Sequence, residues 1–301
     1  MTFAWLRPGS PGGRSAGGTA RVLPPQPPPQ PRRPIPDADL SRLALIVAAA
    51  AAGGVVNSIA GGGTLLTFPA LLGLGIPAMT ANATSTVALW PGAVGSMLGY
   101  LDELRGTRAW ALRFALPSLA GGLVGALLLL VTPADRFDAL VPWLVIGATA
   151  LFVIQRPIMR WLQRRRAVPI EGAPVSDPTL APPPPSVLIF QFFVAIYGGY
   201  FGAGIGILML AALGFMGLTN IHRMNGLKNW GGLCANFVAA ATFALTHLVD
   251  WRVALAMALG AAAGGYGGSR LAQRVPQEWV RRAVVAIGFA SGLWLLLPRR
   301  A

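Results

Sequence analysis

Lys228 is the only lysine in a chain of 301 residues, and it lies near the start of an apolar run. Asn225 and Asn229 lie beside it. A cation inside a membrane span is costly, so by default it marks a functional position with an anion as its partner. A lysine whose charged end reaches the membrane surface is the alternative. If Lys228 is functional, it pairs with a substrate anion as a point charge.

A second polar cluster precedes this one by about 143 residues, so that Asn82 aligns with Asn225. Both amides are predicted either to donate hydrogen bonds to the substrate or to join neighbouring helices. The hydroxyl groups of Thr84 and Ser85, and the amide of Asn229, either add substrate contacts or cap helices. The two clusters are therefore equivalent candidate positions in two parts of the chain.

Glycine-rich breaks interrupt two apolar runs, at Gly61–Gly63 and at Gly202–Gly206. Irregular backbone survives at membrane depth only where protein buries it or where it lines a polar cavity, so each break indicates a transporter binding site. Close packing of helices through small residues is the alternative. The N–H groups after each break begin a half-helix whose positive end suits an anion. Asn57, before the first break, either contacts the substrate or caps the broken helix. The predicted substrate-binding residues are Asn57, Gly61, Gly62, Gly63, Thr64, Asn82, Thr84, Ser85, Gly202, Gly204, Asn225, Lys228 and Asn229.

Two tryptophans, Trp90 and Trp230, follow the polar clusters. They could form walls of the binding cavity, but packing against lipid or the protein core is favoured.

The composition predicts an all-α membrane protein, a polytopic helical bundle with about seven to eight transmembrane helices. Hydrophobic residues make up 54% of the chain and charged residues 11%, whereas a soluble domain carries about 25% charged residues. Several apolar runs reach the roughly 20 residues that a spanning helix needs. The formal charge of +14 comes from arginines in the N-terminal arm and the connections, which is typical of charges that set topology. The bilayer is therefore the expected partner, and nucleic acid is not.

An internal repeat organises the apolar part of the chain. We predict a disordered arm at 1–37, a first transmembrane repeat at 38–155, a basic, proline-rich linker at 156–186 and a second repeat at 187–301. Repeated halves that each contain an interrupted helix are characteristic of secondary transporters, with the substrate bound between the halves.

Two topologies fit this repeat. If both broken segments are hairpins, each half crosses three times, the halves are inverted, and the connections near Arg105, Arg160 and Arg274 share one side. If both breaks are full crossings, there are eight spans and the halves are parallel. The inverted arrangement is favoured because it places the arginines of 270–282 on the cytoplasmic side.

Side chains for catalysis are lacking in the predicted spans. All ten acidic residues lie in the arm, in loops or at span ends. We see no residues at metal-ligand spacing and no phosphate-binding GxxxxGK[ST] loop. The sequence therefore predicts a carrier without a catalytic site, metal or cofactor. A membrane-embedded enzyme, an assembly subunit and a carrier of a neutral solute are the alternatives, and the oligomeric state is left open.

The segment GGVVNSIAGGGTLLTFPALLGLGIP followed by ANATSTVA, with a second copy ending in MNGLKNW, resembles the sulfite exporter TauE/SafE family. The resemblance covers about residues 43–297. It implies two similar halves in the inner (plasma) membrane that move sulfite, sulfonates or related organic anions. Members often show Thr-Asn-Lys or Thr-Asn-Arg where this chain has Thr84, Ser85 and Thr86. Lys228 is therefore the only basic residue in either polar cluster.

Overall fold

The computed structural model describes residues 40–105, 107–166, 182–215, 218, 220–271 and 277–297. The arm predicted at 1–37 and residues 167–181 of the predicted linker lie outside these residues. Every regular element in the described ranges is an α-helix, as the apolar runs predict. In chain order the helices are α1 (Leu40–Ala60), α2 (Thr64–Gly73), α3 (Ala78–Leu98), α4 (Leu101–Arg105), α5 (Arg108–Val131), α6 (Ala134–Arg166), α7 (Pro185–Tyr200), α8 (Ile205–Phe215), α9 (Ile221–Ala244), α10 (Trp251–Leu271) and α11 (Gln277–Leu296).

Three segments within the described part of the chain are long and apolar enough to cross a membrane. They are Ser41–Ser58, Arg108–Val131 and Ala134–Ile154. Shorter apolar helices accompany them at Thr64–Gly73, Pro185–Tyr200, Ile205–Phe215 and Arg282–Leu296. This composition identifies a helical membrane protein.

The helix α6 extends beyond its apolar span. The span ends at Ile154, and the helix continues to Arg166, into the linker predicted at 156–186. Arginine, glutamine and leucine are good helix formers. The change from apolar to basic composition therefore marks the end of the apolar stretch and not the end of the helix.

The first glycine break folds α2 back along α1. Gly61 has a φ of 77°, a left-handed conformation that glycine adopts without steric cost. A Cβ built on Gly53 would lie 2.9 Å from the Thr67 side chain, and one built on Gly63 would lie 3.1 Å from the Cβ of Asn57. Because later residues of α2 meet earlier residues of α1, the segment is a hairpin and not a straight crossing.

The second break repeats this geometry between α7 and α8. Gly202 and Gly204 each have a φ of 78°, and the Gly202 N–H donates to the Tyr197 carbonyl oxygen at 3.2 Å. A Cβ on Gly198 would collide with the side chain of Ile205. This segment is therefore also a hairpin.

Glycines bring two sets of helices into close parallel packing. Gly260 and Gly264 of α10 lie against the backbone of α1 at Val47 and Ala51, and Gly92 of α3 lies against α10. In the second set, Gly121 and Gly125 of α5 lie against α7, and α9 packs against both. Small residues allow this backbone approach, which suits packing within a membrane.

The two sets run in opposite directions. Asn82, near the start of α3, contacts the carbonyl of Tyr200 at the end of α7. The Tyr200 hydroxyl is 3.4 Å from Thr132 Oγ1, just past the end of α5. α6 and α11 are also antiparallel, because Thr149 lies against Gly288 while Ile146 lies against Gly292.

These directions place many arginines at one end of the bundle. The starts of α5, α7 and α9 and the ends of α3, α6 and α10 share this end, which we call the arginine-rich end. The described residues there include Arg108, Arg223 and Arg270, and α6 ends there at Arg166. The opposite end carries Asp135 and Asp250, among other residues.

Candidate functional site

A small cavity lies where the two glycine breaks meet inside the bundle. Its volume is about 20 Å³, which is room for roughly one water molecule. A Cβ built on Gly61 in the first break would lie 2.7 Å from the Cα of Gly206 in the second. The lining residues are Asn57, Thr64, Thr86, Leu89, Trp90, Ala93, Gly202 and Asn236.

Both breaks contribute to the wall of this cavity. A Cβ on Gly202 would lie 3.9 Å from Asn236 Oδ1 and 4.0 Å from Thr64 Oγ1. Thr64 is the first residue of α2, and Ile205 begins α8 just after the second break. The positive ends of two half-helices therefore begin beside the breaks, a location that favours negative charge.

The remaining glycines of the breaks serve the close packing around the cavity. A Cβ on Gly62 would lie 3.0 Å from the Phe152 ring, and one on Gly204 would lie 3.6 Å from the Ala148 carbonyl oxygen. Gly63 abuts the Gly53 carbonyl oxygen. Of the predicted site residues, the structure brings Asn57, Thr64 and Gly202 together in the cavity wall, whereas Gly61, Gly62, Gly63 and Gly204 shape the breaks behind it.

The polar cluster that contains Asn82 makes hydrogen bonds to other elements, although Asn82 Oδ1 has no partner in the described residues. Asn82 Nδ2 donates to the Tyr200 carbonyl oxygen at 2.9 Å. The backbone N–H of Asp250 donates to Thr84 Oγ1 at 3.0 Å. The hydroxyl oxygens of Ser85 and Thr67 lie 2.6 Å apart. This is the alternative role considered for Asn82, an interhelical hydrogen bond. Ser85 also joins α3 to α2, and Thr84 joins α3 to the residue before α10.

The polar cluster around Lys228 has atoms that are buried and lack hydrogen-bond partners among the described residues. Asn225 Oδ1, Lys228 Nζ and Asn229 Nδ2 find no hydrogen-bond partner among the described residues. The Lys228 side chain is only 2% exposed. A buried charge without a partner costs several kcal/mol. An anion would supply acceptors for Lys228 Nζ and Asn229 Nδ2, whereas Asn225 Oδ1 is itself an acceptor and needs a donor.

Lys228 does not line the cavity between the breaks. One turn further along α9, a Cβ on Gly231 would lie 3.0 Å from Gln191 Nε2 and 3.4 Å from Met209 Sδ. Gln191 in turn donates to the Ser118 hydroxyl at 2.9 Å. Lys228 therefore lies on the part of α9 nearer the arginine-rich end, in a largely apolar region close to α7 and α8.

Asparagines form a line along α9 from this cluster to the cavity. Asn225, Asn229 and Asn236 are spaced i, i+4 and i+11, which puts them on one face of a helix. Asn236 lines the cavity and was missed by the sequence analysis. The helical spacing of the three asparagines is the signal that would have found it.

Trp90 both lines the cavity and packs against the core. Its ring lies 5.5 Å from that of Phe237, which agrees with the favoured packing role, and it also takes the alternative role in the cavity wall. Its Nε1 donor is buried and has no acceptor in the described ranges. Trp230 is absent from this cavity, and its Nε1 donates to the Ala111 carbonyl oxygen at 2.7 Å.

Metal-binding side chains do not cluster in the described part of the chain. No group of three or more His, Cys, Asp or Glu residues there is placed to hold a metal ion. The site is therefore built from amides, hydroxyls, an indole N–H and one ammonium group.

Broken helices that meet at a polar cavity within an apolar bundle define a membrane transporter. The chain matches the family described as sulfite exporter TauE/SafE over residues 45–295, and it belongs to that family. It is 31% identical over 260 residues to "Probable membrane transporter protein ORF9" of Sinorhizobium sp, which covers 84% of this chain and 92% of the relative. A "Probable membrane transporter protein" of Haemophilus influenzae is 25% identical over 84% of this chain and 94% of its own length. "Probable membrane transporter protein YfcA" of Escherichia coli K12 is 27% identical over 80% of this chain and 84% of its own length. No solved structure matches the chain.

Proposed function

We propose that this chain is a secondary carrier of a small anion in the inner (plasma) membrane. The observation that carries this proposal is Lys228, a cation that is 2% exposed and whose Nζ has no hydrogen-bond partner in the described structure. An anion that binds there would neutralise the charge and accept its hydrogen bonds. Family membership supports transport and leaves the solute to be determined.

Unsatisfied donors favour an anion over a cation. Besides Lys228 Nζ, the buried Nδ2 of Asn229 and Nε1 of Trp90 lack acceptors within the described residues. An oxyanion offers several acceptor oxygens and no positive charge. These donors lie at two places, Trp90 in the cavity wall and Lys228 nearer the arginine-rich end. A small oxyanion such as sulfite or a sulfonate would accept hydrogen bonds at either place, and its name rests on the family.

The helix packing supports two inverted halves. Three helices of each half, α3, α5 and α6 in the first and α9, α10 and α11 in the second, would cross the membrane. The hairpins α1–α2 and α7–α8 would enter from opposite sides and meet at the cavity. The predicted repeat aligns α1 with α7 and α5 with α10. The helices α1 and α10 are in contact, and so are the aligned helices α7 and α5. This arrangement has six crossings and two re-entrant hairpins in place of the seven to eight spans expected.

The charge distribution supports an orientation with the arginine-rich end in the cytoplasm. Lys228 would then be nearer the cytoplasmic side, where an exported anion enters. A membrane potential of 100 mV, inside negative, drives each negative charge outward with about 2.3 kcal/mol, or about fiftyfold at equilibrium. Export driven mainly by the potential requires no coupling ion.

A flux screen in proteoliposomes with an imposed potential tests the proposal. Sulfite, a sulfonate, a carboxylate and a neutral solute are compared at potentials of both signs. We expect anion flux that follows the sign of the potential. Flux of the neutral solute alone, or anion flux that depends strictly on a proton gradient and ignores the potential, would contradict the proposal.

A carrier of a neutral solute is the second candidate. The observation that favours it is the lining of the cavity, where amides, hydroxyls and an indole are present and Lys228 is absent. In this case Lys228 would be a structural residue. The same screen separates the two candidates, since flux of a neutral solute does not change with the potential.

A further inference from the structure

A second concave surface lies outside the proposed transport site. It is a groove of about 340 Å³ formed by α4, the start of α5 and the middle of α9. It shares no lining residue with the cavity between the breaks. The groove is lined by Leu101, Leu104, Arg108, Ala111, Leu112 and Trp230.

Trp230 provides a fixed apolar wall for this groove. Its Nε1 donates to the Ala111 carbonyl oxygen at 2.7 Å, which holds the indole between α9 and α5. Because the protein satisfies the only polar atom of the ring, the accessible part of the indole presents carbon to the groove.

The groove lies where α5 enters the bilayer. Arg108 is the first residue of this span. Leu112 and Leu116, one and two turns further on, are 72% and 74% exposed, as expected for side chains that face lipid. The charged end of the groove is therefore at the level of the headgroups, and its leucines continue towards the hydrocarbon.

We propose that this groove binds an anionic phospholipid, with the phosphate on the Arg108 guanidinium and an acyl chain against the leucines of α4 and α5. The planar guanidinium binds phosphate oxygens in pairs, and tryptophan is enriched at the membrane interface. Asp102 of α4 is not among the described residues that line the groove.

The setting of the groove favours an anionic over a zwitterionic lipid. It opens at the arginine-rich end, where α10 also ends with Arg270 in its last turn. Basic residues beside a span attract anionic headgroups. The site does not depend on which solute the carrier moves, so a failure of either proposal leaves the other standing.

Quenching of tryptophan fluorescence by brominated lipids tests the site directly. The full chain is reconstituted into phosphatidylcholine nanodiscs that contain either brominated phosphatidylglycerol or brominated phosphatidylcholine at equal fractions. The chain has nine tryptophans. The fluorescence of Trp230 is therefore obtained by subtracting the fluorescence of the Trp230→Phe variant from that of the wild type. We expect phosphatidylglycerol to quench this component more strongly than phosphatidylcholine.

Two arginines of the same helix supply the variant and its control. Arg108→Gln should weaken the phosphatidylglycerol preference about fivefold, whereas Arg113→Gln, an exposed arginine outside the groove, should leave it unchanged. Native mass spectrometry of both variants gives an independent count of bound phosphatidylglycerol, which should fall only for Arg108→Gln.

Three results would overturn this proposal. Equal quenching by both lipids would show that the groove holds bulk lipid. An unchanged preference and lipid count in Arg108→Gln would place the headgroup elsewhere. Loss of the preference on adding inorganic phosphate to the buffer would show that Arg108 binds a soluble anion.

Discussion

Asn82 Nδ2 donates a hydrogen bond of 2.9 Å to the carbonyl oxygen of Tyr200, 118 residues away in the chain. The bond joins the start of α3 to the end of α7 and so links two oppositely directed sets of helices. Asn225, which the predicted repeat aligns with Asn82, has a buried Oδ1 without a partner in the described residues, as Asn82 does. The two aligned positions therefore share an unsatisfied oxygen, whereas the hydrogen bond between helices is described for Asn82 alone.

This asymmetry predicts different effects for the same substitution. Asn82→Ala should lower the free energy of unfolding by about 0.6 to 1.7 kcal/mol, the range for hydrogen bonds between membrane helices. Asn225→Ala should leave stability nearly unchanged and reduce anion flux. Thermal unfolding in detergent and flux in proteoliposomes measure the two effects. Equal destabilisation by both substitutions would show that the asymmetry is not functional.

Replacing Lys228 by methionine is expected to abolish transport while expression stays near normal. Methionine fills similar space and removes a buried charge that has no protein partner, so stability should be unchanged or higher. Anion flux and thermal unfolding are compared with those of Lys228→Arg, which keeps the charge and should retain part of the flux. Full activity of Lys228→Met would assign the lysine a structural role.

Gly61 in the first break is expected to be essential for two reasons, its backbone conformation and its close contact with the second break. Gly61 and Gly75 both have a positive φ, of 77° and 82°, so alanine at either position costs about 1–2 kcal/mol. A Cβ at Gly61 would also lie 2.7 Å from the Cα of Gly206, whereas one at Gly75 meets nothing within 4 Å.

Gly61→Ala should therefore lose transport and be poorly folded, and Gly75→Ala should keep most of its flux. Size-exclusion chromatography and flux measurements report the two properties. Comparable activity of the two variants would mean that the contact between the breaks is dispensable.

The inverted arrangement is tested by the accessibility of single cysteines. Cys234, the only native cysteine, is first replaced by alanine. Cysteines at positions 160 and 274, of which 274 lies outside the described residues, should be labelled by an impermeant reagent from the cytoplasmic side. Arg136→Cys, near the start of α6 at the opposite end, should be labelled from outside. Labelling of positions 160 and 274 from opposite sides would rule out inverted halves.

Local chain properties determined the class of the protein and the location of its breaks. Apolar runs of spanning length require a membrane helix whatever their neighbours. The sequence analysis identified the breaks that contain Gly61 and Gly202, because only glycine adopts a positive φ without strain. An isolated lysine among apolar residues can likewise be recognised from the sequence, because the free-energy cost of burying its charge comes from the bilayer.

Only the tertiary structure decided which polar residues are already satisfied. Asn82 and Asn225 are the same residue type at equivalent positions, yet the partner of Asn82 is 118 residues away, and the partner of Thr84 is 166 residues away. Asn236 entered the site because α9 turns it towards the cavity, and the breaks proved to be hairpins because α2 packs back on α1. Hydrogen bonds and close contacts of this kind depend on which helices meet, and helix packing is set by pairs of residues that are distant in the chain.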